Sequence, residues 1–443
     1  MAARRGLFIR APFPPSRFDT ACGLVWPHAP IDKESGLWCG IDWAERHHDV
    51  AVVDDAGQVV LKERISDDAA GFTRLVELIV ELRPDGLRGL PIAIETAQGL
   101  LVAALRVSDA DLFSINPLAV SRYRDRYSPS RAKSDPGDAM VLANILRTDM
   151  DSHRRLPDDS DGAQAIRVLA RAHQDAIWDR QQIVSKARSL LRQYFPGFLQ
   201  TFEDLSTMGA RTALRLAPTP AAAATVRPST IAAALRRGGR RRGVDAEAQR
   251  IVAGLRAHHL RQPQLVETAM GHQALGYARA LATVAENVAS LEAALTAAFQ
   301  DHPDAPILVS FPGLGPVLGA RILGEIGDDR ERFATARGLK AYAGTAPVTR
   351  ASGTKVHIGL RAVRNKRLNH ATYLWALPLI LYSADARAHY DRRRQSGDTH
   401  TAASRNLANR YIGMLHFCLQ TRQTYDPVKA FARQLALANH AAC

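Results

Sequence analysis

Cysteine is scarce, with only Cys22, Cys39, Cys418 and Cys443 in 443 residues and no CxxC or other metal-ligand spacing among them. That excludes a disulfide scaffold and implies reduced thiols inside a cell. Lysine is scarcer than its chemistry would suggest, with 8 residues against 50 arginines. No apolar run reaches membrane length: the best, Ala371 to Tyr382, is short and contains Pro378. Arg4 and Arg5 precede only Gly6 to Ile9, too short for the core of a signal peptide. A soluble cytoplasmic protein is the expectation.

What is present is a globular composition, 46% hydrophobic, in a chain long enough for about three domains. The formal net charge is +14. Excess positive charge points to a polyanionic partner, nucleic acid before a membrane surface. Arginine and alanine richness is also what a GC-rich genome writes into any protein. The placement of the charge therefore carries more than its total.

Residues 1–35 contain proline and arginine without periodicity and are expected to be a disordered extension. From Gly36 the pattern changes. Leu37–Trp43, His48–Asp54 and Gln58–Ile65 alternate as strands, with Asp54-Asp55-Ala56-Gly57 as a hairpin turn. Asp67–Leu82 has helical spacing, Pro91–Glu95 is a strand, Leu100–Val107 a helix, Leu112–Asn116 a strand and Ala139–Arg147 a helix. Three antiparallel strands followed by helix–strand–helix–strand–helix predict an RNase H-like α/β domain over 36–150. Residues 151–303 read as a helical arm: Ile177, Val184 and Leu191 recur at sevens, and Leu281, Val284, Val288, Leu291 and Leu295 step by threes and fours. A basic loop interrupts it. Residues 304–430 read as a mostly α C-terminal domain, and 431–443 as a tail.

Four carboxylates mark a chemical centre. Asp42 ends the first strand, Glu95 ends the Pro91–Glu95 strand, and Asp135 and Asp138 stand three apart at a helix start. Such acids repel unless cations neutralise them, and hard oxygens select Mg²⁺, with Mn²⁺ as the alternative. Two such ions would make a phosphoryl-transfer site. Each acid alone has a plainer reading, since Asp135-Pro136-Gly137-Asp138 is turn chemistry. Their combination in this strand order favours the metal.

Further on, Pro312-Gly313-Leu314-Gly315-Pro316 follows a strand-like apolar run but has GxGxxxG spacing, which excludes a dinucleotide fingerprint. Gly313 and Gly315 fit either a helix-hairpin-helix turn on a DNA phosphate or a simple turn between helices. A hairpin around Ser352-Gly353 is flanked by Arg350 and Lys355, with Arg361, Arg364, Lys366 and Arg367 close behind; this clustering suits phosphate contact. On the residues alone Ser352 is an ordinary hairpin serine. Arg236 to Arg242, including Arg240, Arg241 and Arg242, holds five arginines without an acid and leans towards nucleic-acid contact. His47 and His48 read as solvated turn residues. Tyr373, Leu374, Trp375 and Leu377 read as helix core, and Cys418 as a packed thiol.

Gly40-Ile41-Asp42-Trp43-Ala44, Ile94-Glu95-Thr96 and Arg131 to Ala139 resemble the DEDD motifs of the insertion-sequence-110 family of transposases. Pro312-Gly313-Leu314-Gly315-Pro316, Tyr342-Ala343-Gly344 and Ser352-Gly353 resemble that family's second domain, and the likeness spans Gly36 to Pro427. It implies a RuvC-like N-terminal domain, a coiled-coil arm and a C-terminal transposase domain. It also implies Mg²⁺ on Asp42, Glu95, Asp135 and Asp138, with Ser352 as the nucleophile that forms a phosphoserine link. The implied partners are donor and target DNA, a bridge non-coding RNA, and further copies of the chain in a dimer or tetramer at the bacterial nucleoid. Residues 1–35 and Ser134, where the family commonly has threonine, depart from the pattern. Two other readings compete: a RuvC-like junction endonuclease that hydrolyses with water, and a nucleic-acid binder whose acids are structural.

Overall fold

A computed structural model describes residues 36–127, 135–353 and 355–429, so the expectations for 1–35, Arg131–Ser134 and 431–443 lie outside the described residues. The chain divides into two compact units, the first ending at Leu156 and the second beginning at Pro157. The helical middle and the C-terminal region both belong to the second.

In the first unit β1 (Trp38–Trp43), β2 (His47–Val53) and β3 (Val59–Ser66) are antiparallel neighbours. β4 (Pro91–Ile94) and β5 (Asp111–Ser114) continue the sheet in parallel, giving the order β3-β2-β1-β4-β5. The helices are α1 (Ala69–Leu82), α2 (Leu100–Val107), α3 (Pro117–Tyr127) and α4 (Asp135–Asp149). The sequence pattern had located all of these elements except α3, whose polar composition hides its period.

Alternation assigns the sheet's two faces. Cys39, Ile41, Ile92 and Ile94 share a core with Leu75 and Ile79 of α1 and Leu101, Val102 and Leu105 of α2. The residues between them face the other way, where Ala93 packs with Val141, Leu142, Ile145 and Leu146 of α4. Gly40, paired with Ala93 in the β1–β4 register, lies so close to α4 that no side chain fits there. At the far end of α4, Arg147 donates to the Asp55 carbonyl at 3.2 Å, and Asp55 also accepts from the Gly36 amide at 2.8 Å. Helix α4 therefore runs against β1 and brings its own N-terminus to the carboxyl end of that strand.

The second unit begins with α5 (Asp161–Tyr194), α6 (Pro196–Thr201), α7 (Met208–Leu216), α8 (Pro220–Thr225), α9 (Pro228–Arg237) and α10 (Val244–Leu255). Next come α11 (Gln264–Gln300), α12 (Ala305–Val309), α13 (Pro316–Ile326) and α14 (Ala336–Tyr342). A hairpin of β6 (Val348–Ser352) and β7 (Lys355–Gly359) precedes α15 (Lys366–Tyr382), α16 (Ala384–Gln395) and α17 (His400–Thr421). α11 thus starts well before Leu281, where the coiled-coil step begins. The run Ile307–Phe311 belongs largely to α12 rather than to a strand, because Pro306 sits in a helix's first turn.

α5 and α11 lie antiparallel. Ile166 and Ala170 of α5 share a core with Leu295 and Phe299 of α11, whereas Ala187 and Leu191 share another with Ala274 and Ala278. Buried Ala274, Ala278, Leu281, Val288 and Leu295 fall on one stripe of α11. Small residues seat α13 between them: a Cβ on Gly319 would meet the Phe299 ring at 2.8 Å, and one on Gly324 would meet Cα of Arg167 at 2.9 Å. Polar clamps finish the joint. Arg171 of α5 grips Glu325 of α13 through two bonds of 2.7 and 2.8 Å, and Asn365 adds a third at 2.7 Å.

Candidate active site and nucleic-acid surface

Asp42 follows Ile41, and Glu95 follows Ile94, one residue beyond the paired Ile41 and Ile94 of the β1–β4 register. The two acids therefore stand side by side at the carboxyl ends of neighbouring parallel strands. Alternation turns Asp42 to the side of Gly40 and Glu95 to the side of Ala93, which is the α4 side. Both are half-buried.

Asp138 lies on the first turn of α4 immediately before Ala139, the residue against which Gly40 packs, and its side chain is 5% exposed. Arg124 of α3 neutralises it, with Nε at 2.7 Å and Nη2 at 2.5 Å from Oδ1. Asp135 begins α4 one turn earlier; its side chain lies outside the described residues. The fold thus brings Asp42, Glu95 and Asp138 to one end and one face of the sheet. Among the described residues no group of three or more His, Cys, Asp or Glu is arranged to hold a metal, and Asp138 is held by an arginine instead.

Two further charged groups of this face escaped the sequence reading. Asp49 stands directly opposite Asp42 across β1 and β2, is buried, and binds Arg64 through bonds of 3.1 and 2.9 Å. A single acid in the apolar strand His47–Val53 was the available signal. Arg124 gave none, because its helix was not legible. His48 corrects the expectation of a solvated turn: it lies in β2, 1% exposed, with Nε2 3.0 Å from Asp67.

In the second unit, Ser352 ends β6, pairs with Lys355 and is exposed together with it. Gly353 follows with φ +56° and open space around it, as a tight hairpin requires. Arg350 faces His357 in the ladder. Arg361 and Arg364 are half-buried, and the Nε of each meets no acceptor among the described residues. Lys366 is exposed at the start of α15.

Arg367 differs from its neighbours. It pairs with Asp175 at 2.8 and 3.0 Å and stacks 5.1 Å over the Trp178 ring, so it fastens α15 to α5. Its charge is spent inside the fold, and the expectation of a phosphate contact is corrected. The arginine run is similarly thinned: Arg236 binds Asp245 at 2.7 Å, and Arg240 lies 3.0 Å from Glu247. The acids that answer it come just after the run, on α10. Arg241 and Arg242 stay exposed.

Gly313 takes φ +72° and packs on Pro378, where a Cβ would come within 2.8 Å, while Trp375 donates to the Pro312 carbonyl at 3.1 Å. Packing accounts for that glycine. Gly315 is exposed with nothing near it, at the N-cap of α13. Trp375 is core, as expected, but Tyr373 on the same helix is 37% exposed. Cys418 is buried.

Residues 39–196 match a transposase family of the DEDD, IS110 type, and residues 305–391 match the IS116/IS110/IS902 transposase family. The first match spans the four acids and the second spans Ser352. The transposase ascribed to the IS117 mini-circle of Streptomyces coelicolor is 53% identical over 406 residues, covering 91% of this chain and 98% of its own. An uncharacterized 43.6 kDa protein of insertion element IS110 from the same species is 29% identical, covering 89% and 96%. An uncharacterized 42 kDa protein of insertion element IS900 from Mycobacterium paratuberculosis is 27% identical, covering 89% and 98%.

Proposed function

The chain belongs to the IS110 family of insertion-sequence transposases, and from that premise we propose that it cuts and rejoins DNA through a phosphoserine intermediate. The reaction depends on Mg²⁺ and is guided by a bridge RNA from the element. The single observation that carries this reading is the convergence of Asp42, Glu95 and Asp138 at one sheet end. The five-stranded order, antiparallel on one side of β1 and parallel on the other, supports a RuvC-like domain.

Carboxylate oxygens are the ligand chemistry that a hard divalent ion takes. Asp42, Glu95, Asp135 and Asp138 would hold it. Mg²⁺, when bound, polarises phosphate oxygens and favours loss of a proton from an attacking hydroxyl. The protein's own groups do the remainder. Ser352, exposed on its hairpin, supplies the Oγ that bonds to phosphorus while the bond from phosphorus to the leaving sugar oxygen breaks. That oxygen takes up the hydroxyl proton. One phosphodiester replaces another, so the strand can be resealed by the reverse exchange without ATP. Lys355, Arg361, Arg364 and Lys366 hold the backbone phosphates beside the hairpin. Arg350, placed on β6 by the ladder, is assigned to the same role, with Arg241 and Arg242 as a second basic patch and the exposed amide end at Gly315 as a third contact. Pairing by the RNA leaves the protein to read backbone and shape. The paired helices α5 and α11 form the coiled-coil arm of a homo-oligomer.

The test incubates the protein with Mg²⁺, RNA transcribed from the flanking DNA and labelled element-junction DNA, followed by a denaturing gel. A protease-sensitive shifted band, lost in Ser352→Ala and in Asp42→Asn, is the expected result. Cut DNA without an adduct, unaffected by Ser352→Ala, would replace the serine with water and make the protein a hydrolytic nuclease.

A further inference from the structure

Arg124 and Asp138 form a buried ion pair at the centre of the acidic face. Both guanidinium contacts, Nε at 2.7 Å and Nη2 at 2.5 Å, converge on one oxygen, Oδ1, and the two side chains are only 18% and 5% exposed. A carboxylate so buried requires a counter-charge, and a guanidinium supplies it with directed hydrogen bonds. The neighbouring pair, Arg64 with Asp49, is built differently. Its residues are cross-strand partners in the β2–β3 ladder, and the Arg64 side chain is 53% exposed, so that pair lies largely in water. Arg124 and Asp138 sit on two separate helices, α3 and α4, so a change of side-chain rotamer at Arg124 is enough to part them.

A divalent ion needs a carboxylate oxygen at about 2.1 Å. An ion on Oδ1 would be forced against the guanidinium already there, and an ion on Oδ2 would still face that positive charge across a single carboxylate at low dielectric. We propose that Arg124 is a positioning residue that latches Asp138 in the metal-free protein and must release it when the cation enters. This rests on the metal-site reading above and deepens it. The latch has two consequences. It keeps the acidic face neutralised before metal arrives, and it holds down the affinity of the free protein for the ion. Loading is therefore coupled to withdrawal of the Arg124 side chain from Asp138.

The experiment is a Mn²⁺ titration of the full-length protein without nucleic acid, followed by electron paramagnetic resonance, with melting temperatures measured in EDTA and in Mn²⁺. Arg124→Gln is expected to bind Mn²⁺ about tenfold tighter, the scale on which groups contacting ligand carboxylates act. It should also melt lower in EDTA and recover in Mn²⁺. In the Asp138→Asn background the same change should have no effect on affinity. Equal or weaker Mn²⁺ binding by a folded Arg124→Gln overturns the latch and makes the arginine a permanent partner of Asp138. Should Arg124→Gln fail to fold, Arg124→Met, which keeps an apolar stem and removes the charge, gives the answer: tighter binding than wild type supports the latch, and equal or weaker binding overturns it. Loss of Mn²⁺ in Asp42→Asn with no response to Arg124→Gln sinks the latch alone. Mn²⁺ binding that ignores both Asp42→Asn and Glu95→Gln, or no binding by any variant, sinks the metal reading and the latch together.

Discussion

Gly40 of β1 and Ala139 of α4 touch through their backbones: a Cβ at Gly40 would stand 2.0 Å from the Ala139 carbonyl oxygen and 2.5 Å from the Ala143 amide nitrogen. Neither neighbour is a side chain that can swing away. Gly40→Ala must push α4 off the sheet, at a cost of about 1–3 kcal/mol typical of overpacking. Because α4 carries Asp138, the same shift separates that acid from Asp42 and Glu95. Chemical denaturation should show the stability loss. Junction-DNA cleavage should fall further than the remaining folded fraction accounts for. A fully stable, fully active Gly40→Ala would disprove the close packing.

Arg367 and Lys366 are adjacent in sequence and should behave oppositely. Arg367→Ala removes the Asp175 pair and the Trp178 stack, both partly exposed, for a loss of about 1 kcal/mol. Its effect on nucleic-acid affinity should stay within that of an unrelated destabilising change. Lys366→Ala should leave the melting temperature alone and flatten the salt dependence of binding by about one unit of slope. Fluorescence anisotropy against KCl concentration, run beside thermal melts, separates the two. Equal slopes for wild type and Lys366→Ala would remove this lysine from the interface.

This adjacent pair also shows what sequence could carry. The strand pattern, the acids at strand ends and the hairpin at Ser352 were legible because period, turn chemistry and charge are local properties. Arg367 looked like one more cation in a basic cluster, since its partners Asp175 and Trp178 lie almost two hundred residues away on α5. The partners of Arg236 and Arg240 escape notice for a nearer reason: the acids that bind them follow the run rather than punctuate it. Arg124 was invisible because α3 carries few apolar residues to mark a face. Gly319 and Gly324 carry no local sign of their role, which is to let α13 approach α11 and α5. Long-range pairing is what a one-dimensional pattern leaves out.

Glu325 is a buried acid at the joint between α5 and α13, its side chain 4% exposed and bound by Arg171 and Asn365. Burial would raise its pKa, but the bonds from Arg171 and Asn365 and the charge of Arg171 outweigh this and hold it below the ordinary value. Glu325→Gln leaves Arg171 facing a neutral amide. The loss should be about 3 kcal/mol, at the lower edge for a broken buried pair because Arg171 is one-third exposed. Urea denaturation measures it. Arg171→Ala should cost a similar amount, and the double variant less than the sum of the two. Additive losses would show that the contact contributes nothing of its own.

Acid should weaken the second unit in two stages. His173 and His370 are both pushed below the ordinary 6.5, by burial first and then by the charge of Arg321. Glu292, 3.8 Å from His173, and Arg180 act in opposite senses on the former and do not cancel the burial. Below about pH 6.5 the unfolded chain takes up protons that these imidazoles refuse. Their contribution is therefore complete above that pH and declines as pH falls through the window beneath it. Glu325 and Asp328, held below the ordinary carboxylate values, add a second decline under about pH 4.5. The melting temperature should be level from pH 8 to 7, fall from 6.5 towards 5, and fall again in stronger acid. His173→Gln should make the first fall shallower, because one of the refusing groups is gone. A melting temperature that stays level down to pH 5 would mean that these histidines titrate normally, and that the joint between α5 and α13 is more open to water than the burial of His173 indicates.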